Sequence, residues 1–166
     1  REIFLNLLKR ADFLIESEPV GSLAAAGLSY EELHALNPSL IQVSITPFGL
    51  TGPKSAWLAS DITLMASAGP LAMTGDDELP PVRVSVPQAW NHAAAEAAVG
   101  AIIALRERHF SGIGQLVSVS AQQAITLATQ GNILSAAVGD NTVQRIAGGL
   151  KAGDLRIRLT YPASDG

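Results

Sequence analysis

His92 and Glu96 stand four residues apart in Asn91-His92-Ala93-Ala94-Ala95-Glu96, a stretch that reads as helix. Residues at i and i+4 share one helix face. An imidazole and a carboxylate there have the spacing of a general acid/base pair, of two metal ligands, or of a plain local hydrogen bond near a helix start. No third ligand lies close in sequence, and a protein zinc site draws on at least three side chains, so no metal is expected. Asp61, just ahead of the apolar Ile62-Thr63-Leu64-Met65, is either a helix N-cap or a carboxylate that faces a ligand. Trp57 and Trp90 read as packing residues or as ligand contacts. Trp90 follows Pro87 at a helix start, where anionic ligands tend to approach. His34 and His109 read as solvent-facing, and Asp76-Asp77-Glu78 as a solvated turn.

Other chemistries lack their residues. Gly112-x-Gly114 precedes a strand instead of following one, and Val117 stands where a dinucleotide fingerprint has its third glycine. Gly21 to Gly27 follows a strand but matches neither that fingerprint nor a phosphate-cradling P-loop. No Gly-x-Ser-x-Gly elbow supplies a serine nucleophile. The chain has no cysteine, which removes disulfides and thiolate metal sites. Its net charge of −4 and the lack of a basic stripe argue against nucleic acid as a partner.

The elements that must position these groups follow from patterning. With 166 residues, 48% hydrophobic and 16% charged, the chain can build a real core. Ile3, Leu7 and Leu8, with Phe4 and Leu5 nearby, give a helical apolar stripe that ends near Lys9-Arg10, where cations suit a helix C-terminus. Phe13-Leu14-Ile15 reads as a buried strand. Ser29-x-x-Glu32 is a capping box, opening a short helix to about Leu36 that Asn37-Pro38 stops. Leu40 to Ile45 is the next strand. Strand, helix, strand at this spacing is a βαβ unit and implies a parallel sheet flanked by helices, an α/β fold. Gly49 to Pro53 reads as loop, Ile62 to Ala68 and Ala93 to His109 as helices, and Leu116 to Val119 as a third strand. Ser120-x-x-Gln123 opens a last helix towards Leu134. The longest weakly polar run, Ala93 to Leu105, is too short to span a bilayer and contains Glu96. A soluble, cytoplasmic protein is expected.

Several motifs fall together in one order. Ala11-Asp12-Phe13-Leu14-Ile15-Glu16, Gly21-x-Leu23, Gly27-Leu28-Ser29-Tyr30 and Leu36-Asn37-Pro38-x-Leu40-Ile41 come first. Phe48-Gly49-x-Thr51-Gly52-Pro53, Pro80-Pro81-Val82-Arg83 and Ser111-Gly112-x-Gly114-Gln115 follow. In this order and spacing the chain resembles the class III CoA-transferases, the formyl-CoA/carnitine CoA-transferase type. The resemblance implies a Rossmann-like large domain, here residues 1–160, with 161–166 leading towards a small domain. It implies an interlocked dimer, of two copies or of two different chains. It also implies transfer of CoA from an acyl-CoA to a free carboxylic acid, with CoA as substrate and no further cofactor. In that family an Asp carboxylate attacks the thioester and forms a mixed anhydride, so nucleophilic catalysis splits one hard exchange into easier steps.

The departures are as informative as the matches. The residue at the position of the family's nucleophile is Trp90, and no Asp or Glu lies between Arg83 and Ala95. The catalytic residue is therefore unassigned, and a subunit that binds CoA without forming the anhydride is the alternative to a self-sufficient transferase. CoA is expected along Ser17, Gly21, Ser22, Ala25 and Ala26, with Asp61 and Trp90 facing the substrate. The basic residue usual near the CoA phosphates is Ala25 here, and Ile113 stands where Arg or Lys is common. The His that precedes the Asp in the family's racemase branch is Ser60. The missing initiator Met and the abrupt stretch Tyr161 to Gly166 read as a piece of a longer protein. Such a piece should expose apolar surface that a partner normally covers. The chain alone is expected to self-associate in light scattering; a monodisperse monomer with a sharp thermal transition would count against this.

Overall fold

The computed structural model describes residues 1–139, 145, 147–152, 155–159 and 161–164. Its centre is a parallel three-stranded sheet of β1 (Phe13–Glu16), β2 (Ile41–Thr46) and β3 (Leu116–Ser120), in that order. Phe13 pairs with Ile41, and Ser44 and Thr46 pair with Ser118 and Ser120. The expected parallel α/β sheet is therefore present. β2 is buried through most of its length because it has neighbours on both edges and helices on both faces.

α1 (Glu2–Leu8) precedes β1; α2 (Ser22–Ala25) and α3 (Tyr30–Leu36) join β1 to β2, α4 (Asp61–Ser67) and α5 (Gln88–Ser111) join β2 to β3, and α6 (Ala121–Ala128) and α7 (Gln130–Gly139) follow β3. The capping box of α3 forms as the sequence implies. Ser29 Oγ accepts from the Glu32 N–H, and Glu32 Oε2 accepts from the Ser29 N–H at 2.8 Å. Three readings shift. The buried face of α1 is Phe4, Leu5 and Leu8, packed on Leu28, Leu33 and Leu40, while Ile3 and Leu7 point outward. α5 begins at Gln88, five residues before the expected Ala93, because its start is capped from a distant element. The helix after β3 breaks at Thr129, so Ser120 caps only the shorter α6, through the Gln123 N–H. An antiparallel hairpin of β4 (Gly149–Ala152) and β5 (Leu155–Arg158) was not anticipated. The segment 161–164 is exposed coil, and the rest of the presumed linker lies outside the described residues.

α5 organises the core. Ala89, Ala93, Ala97 and Ala104 form its buried face, against Val43, Val119, Leu64 and Met65. These small side chains bring the helix axis close to the sheet. At Gly100 an added Cβ would lie 2.7 Å from Val117 Cγ1. The helix ends in left-handed Gly112, whose N–H donates to the Arg108 carbonyl. Arg108 then ties this end to the sheet by pairing with Asp12 at 2.8 Å and donating to the Ser39 carbonyl. The opposite face of α5 exposes Val99, Ile102, Ile103 and Phe110. A helix apolar on nearly every side is normally enclosed. Among the described residues no helix is long and apolar enough to cross a membrane.

Gly114 marks the closest approach, since a Cβ there would collide with the Leu40 carbonyl. Its own N–H donates to the Pro38 carbonyl at 2.8 Å. Backbone on both sides leaves no side chain to yield, so Gly114→Ala should cost about 3 kcal/mol or more in a urea titration. Gly131→Ala, with open space around its Cβ, should leave the midpoint nearly unchanged.

Candidate functional site

In parallel α/β sheets the loops at the carboxyl ends of the strands form the usual ligand crevice. Here those loops are Ser17–Gly21 after β1 and Pro47–Lys54 after β2, joined by Ser120 and the first turn of α6. α5 runs back along the sheet, which puts Trp90 at this same end and Arg108 at the other.

The start of α5 is where sequence and structure meet most sharply. Pro87 is its N-cap and offers no side-chain acceptor. The acceptor comes from Asp61, whose Oδ1 takes the Ala89 N–H at 2.8 Å. Asp61 is only 8% exposed. It is thus a capping residue, though not of its own helix: α4 has Ser60 as N-cap, with the Ser60 N–H donating to Thr63 Oγ1. A carboxylate at a helix N-terminus also meets the positive end of the helix dipole. Trp90, in that first turn of α5, is half-buried and packs on the core cluster.

The other candidates separate. His92 is half-buried and Glu96 exposed, and no hydrogen bond joins them. Glu96 instead borders an apolar groove between α5 and α6, along the free edge of β3. His34 is not solvent-facing as expected; it is half-buried, its ring lies 5.5 Å from Tyr30, and its Nδ1 has no protein partner. His109 is exposed beside Phe110. Among the described residues no cluster of His, Asp and Glu has metal-site geometry.

The segment Ser17–Ala26 forms an open surface. Gly21 takes φ +87° at the start of α2, with nothing within 4 Å of an added Cβ. Ser17, Gly21, Ala25 and Ala26 are exposed, and Ser22 is half-buried. The turn is closed by Glu16 Oε2, which accepts the Glu18 N–H. Glu16 and Glu18 stand at its β1 end, and at its far end the Arg1 guanidinium donates to the Gly27 carbonyl at 3.0 Å.

Sequence reasoning missed a further polar feature. A cleft of about 440 Å³ opens between Gly49–Thr51, Ser118 and Ser120 on β3, and the start of α6. Gly49 adopts φ +89°, and a Cβ added there would lie 3.8 Å from Ser120 Cβ. The Gln122 N–H donates to the Pro47 carbonyl, and Gln122 Nε2 to the Ser67 carbonyl, which fixes the rim. Ser118 and Ser120 are in register with Ser44 and Thr46, so one sheet face carries hydroxyls on both strands. Gln42 lies two residues before Ser44 on the same face. The side-chain oxygens of Gln42, Ser44 and Thr46 are buried without a protein partner, a costly arrangement that polar ligands or solvent relieve. The alternation Gln42-x-Ser44-x-Thr46 marks this polar face in a strand otherwise made of Ile and Val, though none of the three lines the cleft.

The model of CoA-transferase family III matches residues 1–166. The chain is 46% identical over 130 residues to the succinyl-CoA:(R)-benzylsuccinate CoA-transferase subunit BbsE of Thauera aromatica, covering 78% of this chain and 32% of that protein. It is 37% identical over 120 residues to a succinyl-CoA–D-citramalate CoA-transferase of Chloroflexus aurantiacus, covering 72% and 30%. The crystal structure of a CAIB/BAIF family protein from Brucella suis superposes with a TM-score of 0.84 at 28% identity, covering 89% of this chain and 39% of that one. The chain thus spans about a third of the length of these two relatives.

A buried charge-assisted cap is worth about 1.5–3 kcal/mol. Asp61→Ala should lose that much in urea unfolding, and Asp61→Asn, which keeps an acceptor oxygen, about half. Trp90 emission should shift to the red in Asp61→Ala as the first turn of α5 frays.

Proposed function

The chain belongs to CoA-transferase family III, and from that premise we propose that it serves CoA transfer between an acyl-CoA and a carboxylic acid as a subunit that does not itself carry the acyl group. The single observation behind this reading is the start of α5. Trp90 occupies the nucleophile's place, and the one carboxylate beside it, Asp61, is committed to the Ala89 N–H. An indole N–H donates hydrogen bonds and offers no nucleophilic oxygen. Glu96 lies about 9 Å further along the helix axis than Trp90, whereas reacting atoms must come within about 3–3.5 Å. The similarity to a protein named as a subunit, BbsE, supports a division of labour between unlike chains.

In this reading the other subunit supplies the carboxylate. It attacks the thioester carbonyl, the C–S bond breaks, and CoA leaves as thiolate to be re-acylated on the incoming acid. This chain contributes binding surface. CoA runs along Ser17, Gly21, Ser22, Ala25 and Ala26, while Asp61 holds Trp90 against the acyl end. Ala25 stands in place of the usual cation, so Arg1, held at the Gly27 carbonyl, is the guanidinium near enough to meet the CoA phosphates, and the pantetheine and partner contacts carry the rest of the binding. The exposed apolar face of α5 suits an interlocked dimer, in which a second subunit encloses it. The setting is cytoplasmic.

The chain is incubated with succinyl-CoA and hydroxylamine, and carboxylates are examined for hydroxamate by mass spectrometry. The expected result is no modification of this chain, with transfer activity appearing only beside an Asp-bearing family subunit. A hydroxamate on Asp61 or Glu96 would make the chain a self-sufficient enzyme and overturn the reading. Ala26→Trp should weaken CoA binding at least tenfold by calorimetry in the assembled protein; unchanged affinity would place CoA elsewhere.

A further inference from the structure

The loop after β2 builds a corner of two aromatic rings around one cation, at the rim of the polar cleft. Phe48 and Trp57 meet edge to face, with ring centroids 6.0 Å apart and planes at 82°. Lys54 Nζ lies 5.5 Å from the Trp57 ring centroid and 6.0 Å from that of Phe48. Trp57 is nonetheless 57% exposed, and Leu58 88%. Among the described residues Lys54 has no carboxylate partner. Its ammonium rests on the rings, within cation–π range, and the rings take the place of part of its hydration shell.

Phe48 also lines the cleft, with Leu50 and Leu127 as its other large apolar members and hydroxyls and amides over the rest. No Asp or Glu lines it. A ligand with a negative end thus meets no repulsion there, and one cation stands at the mouth. Gly49 and the Gln122 bonds fix the rim, so the corner and the cleft hold a defined relation.

Taken together, the geometry points to a subsite for the carboxylic-acid substrate: the acid's carboxylate pairs with Lys54, and its aryl or alkyl body lies in the cleft on Phe48 and Leu127. The subsite rests on the proposed role in CoA transfer and specifies which part of the chain receives the acid. A volume of about 440 Å³ is in the range of small-ligand pockets. Lys54 and Trp57 act by positioning, since neither reaches a reacting thioester by this assignment.

The chain has two tryptophans, so 5-fluorotryptophan labelling gives two fluorine resonances, with Trp57 assigned by Trp57→Phe. Titration of the full chain with 3-phenylpropionate should move the Trp57 resonance saturably. The neutral 3-phenylpropan-1-ol should bind about fivefold more weakly, and Lys54→Met should erase that difference by weakening the acid about fivefold, the loss of roughly one exposed ion pair. Lys54→Arg should restore the preference for the acid. Equal affinity for acid and alcohol in the unmodified chain overturns the subsite. So does a Trp57 shift with adenosine 3′,5′-bisphosphate but none with 3-phenylpropionate, because Lys54 then serves CoA phosphates. Either failure leaves the hydroxylamine and partner-subunit results untouched, so the two readings fall separately.

Discussion

The structure depends on a carboxylate that reaches across the chain to start a helix it does not belong to. Asp61 accepts the Ala89 N–H, 28 residues on. Without it the first turn of α5 would present unsatisfied N–H groups beside a proline that offers none of the usual capping oxygens. α5 in turn packs on β2, β3, α4 and α6. One buried acceptor therefore sets the height at which the longest helix begins, and with it where Trp90 stands. The two positions where a carboxylate would count most are coupled in this way. In the proposed reading Trp90 stands at one, and the other, Asp61, is occupied in holding Trp90's helix.

Local rules were legible and long-range ones were not. The Ser29–Glu32 box, the Gly112 stop and the three strands follow from local patterning, and the parallel sense of β1 and β2 from the helix between them. The start of α5 does not, because nothing in Val86-Pro87-Gln88 signals a cap; the partner is a residue in another element. The face of α1 was misjudged for a related reason. Ile3, Phe4, Leu5, Leu7 and Leu8 give apolar residues all round, and only the position of Leu33 and Leu40 selects Phe4, Leu5 and Leu8 as the inner set. The family was legible from ordered motifs, and the Trp90 substitution could be read from them directly. The cleft was hidden because it is assembled from one strand, the start of α6 and one loop far from both in sequence, each unremarkable alone.

Small residues explain how so little aromatic bulk makes a core. Along α5 the alanines at 89, 93, 97 and 104 bring the helix onto the sheet, Gly100 removes a Cβ that would press on Val117, and Gly114 lets the turn after the helix meet the Ser39–Leu40 backbone. Close approach lets many weak dispersion contacts accumulate where larger side chains would force separation. The same helix spends its larger apolar residues, Ile102, Ile103 and Phe110, on the outside. An interior surface of alanine and an exterior of isoleucine is the reverse of a free-standing amphipathic helix. The inner face is already filled, so the outer one is the surface with stabilisation left to gain.

That asymmetry bears on how a chain can lose a nucleophile and keep its frame. Capping, close packing and the rim bonds of Gln122 depend on none of the groups that do covalent chemistry. Replacing a carboxylate by an indole at Trp90 removes a charged group from the first turn of α5, where Asp61 already supplies negative charge. Two carboxylates there would repel unless one were protonated. Trp90 relieves this and adds apolar contact with the core. A Trp at position 90 therefore favours a firm helix start over a second charge there. Under the proposed reading the covalent chemistry belongs to another subunit, while the sheet end, the hydroxyl-lined cleft and the Lys54 corner remain available for binding.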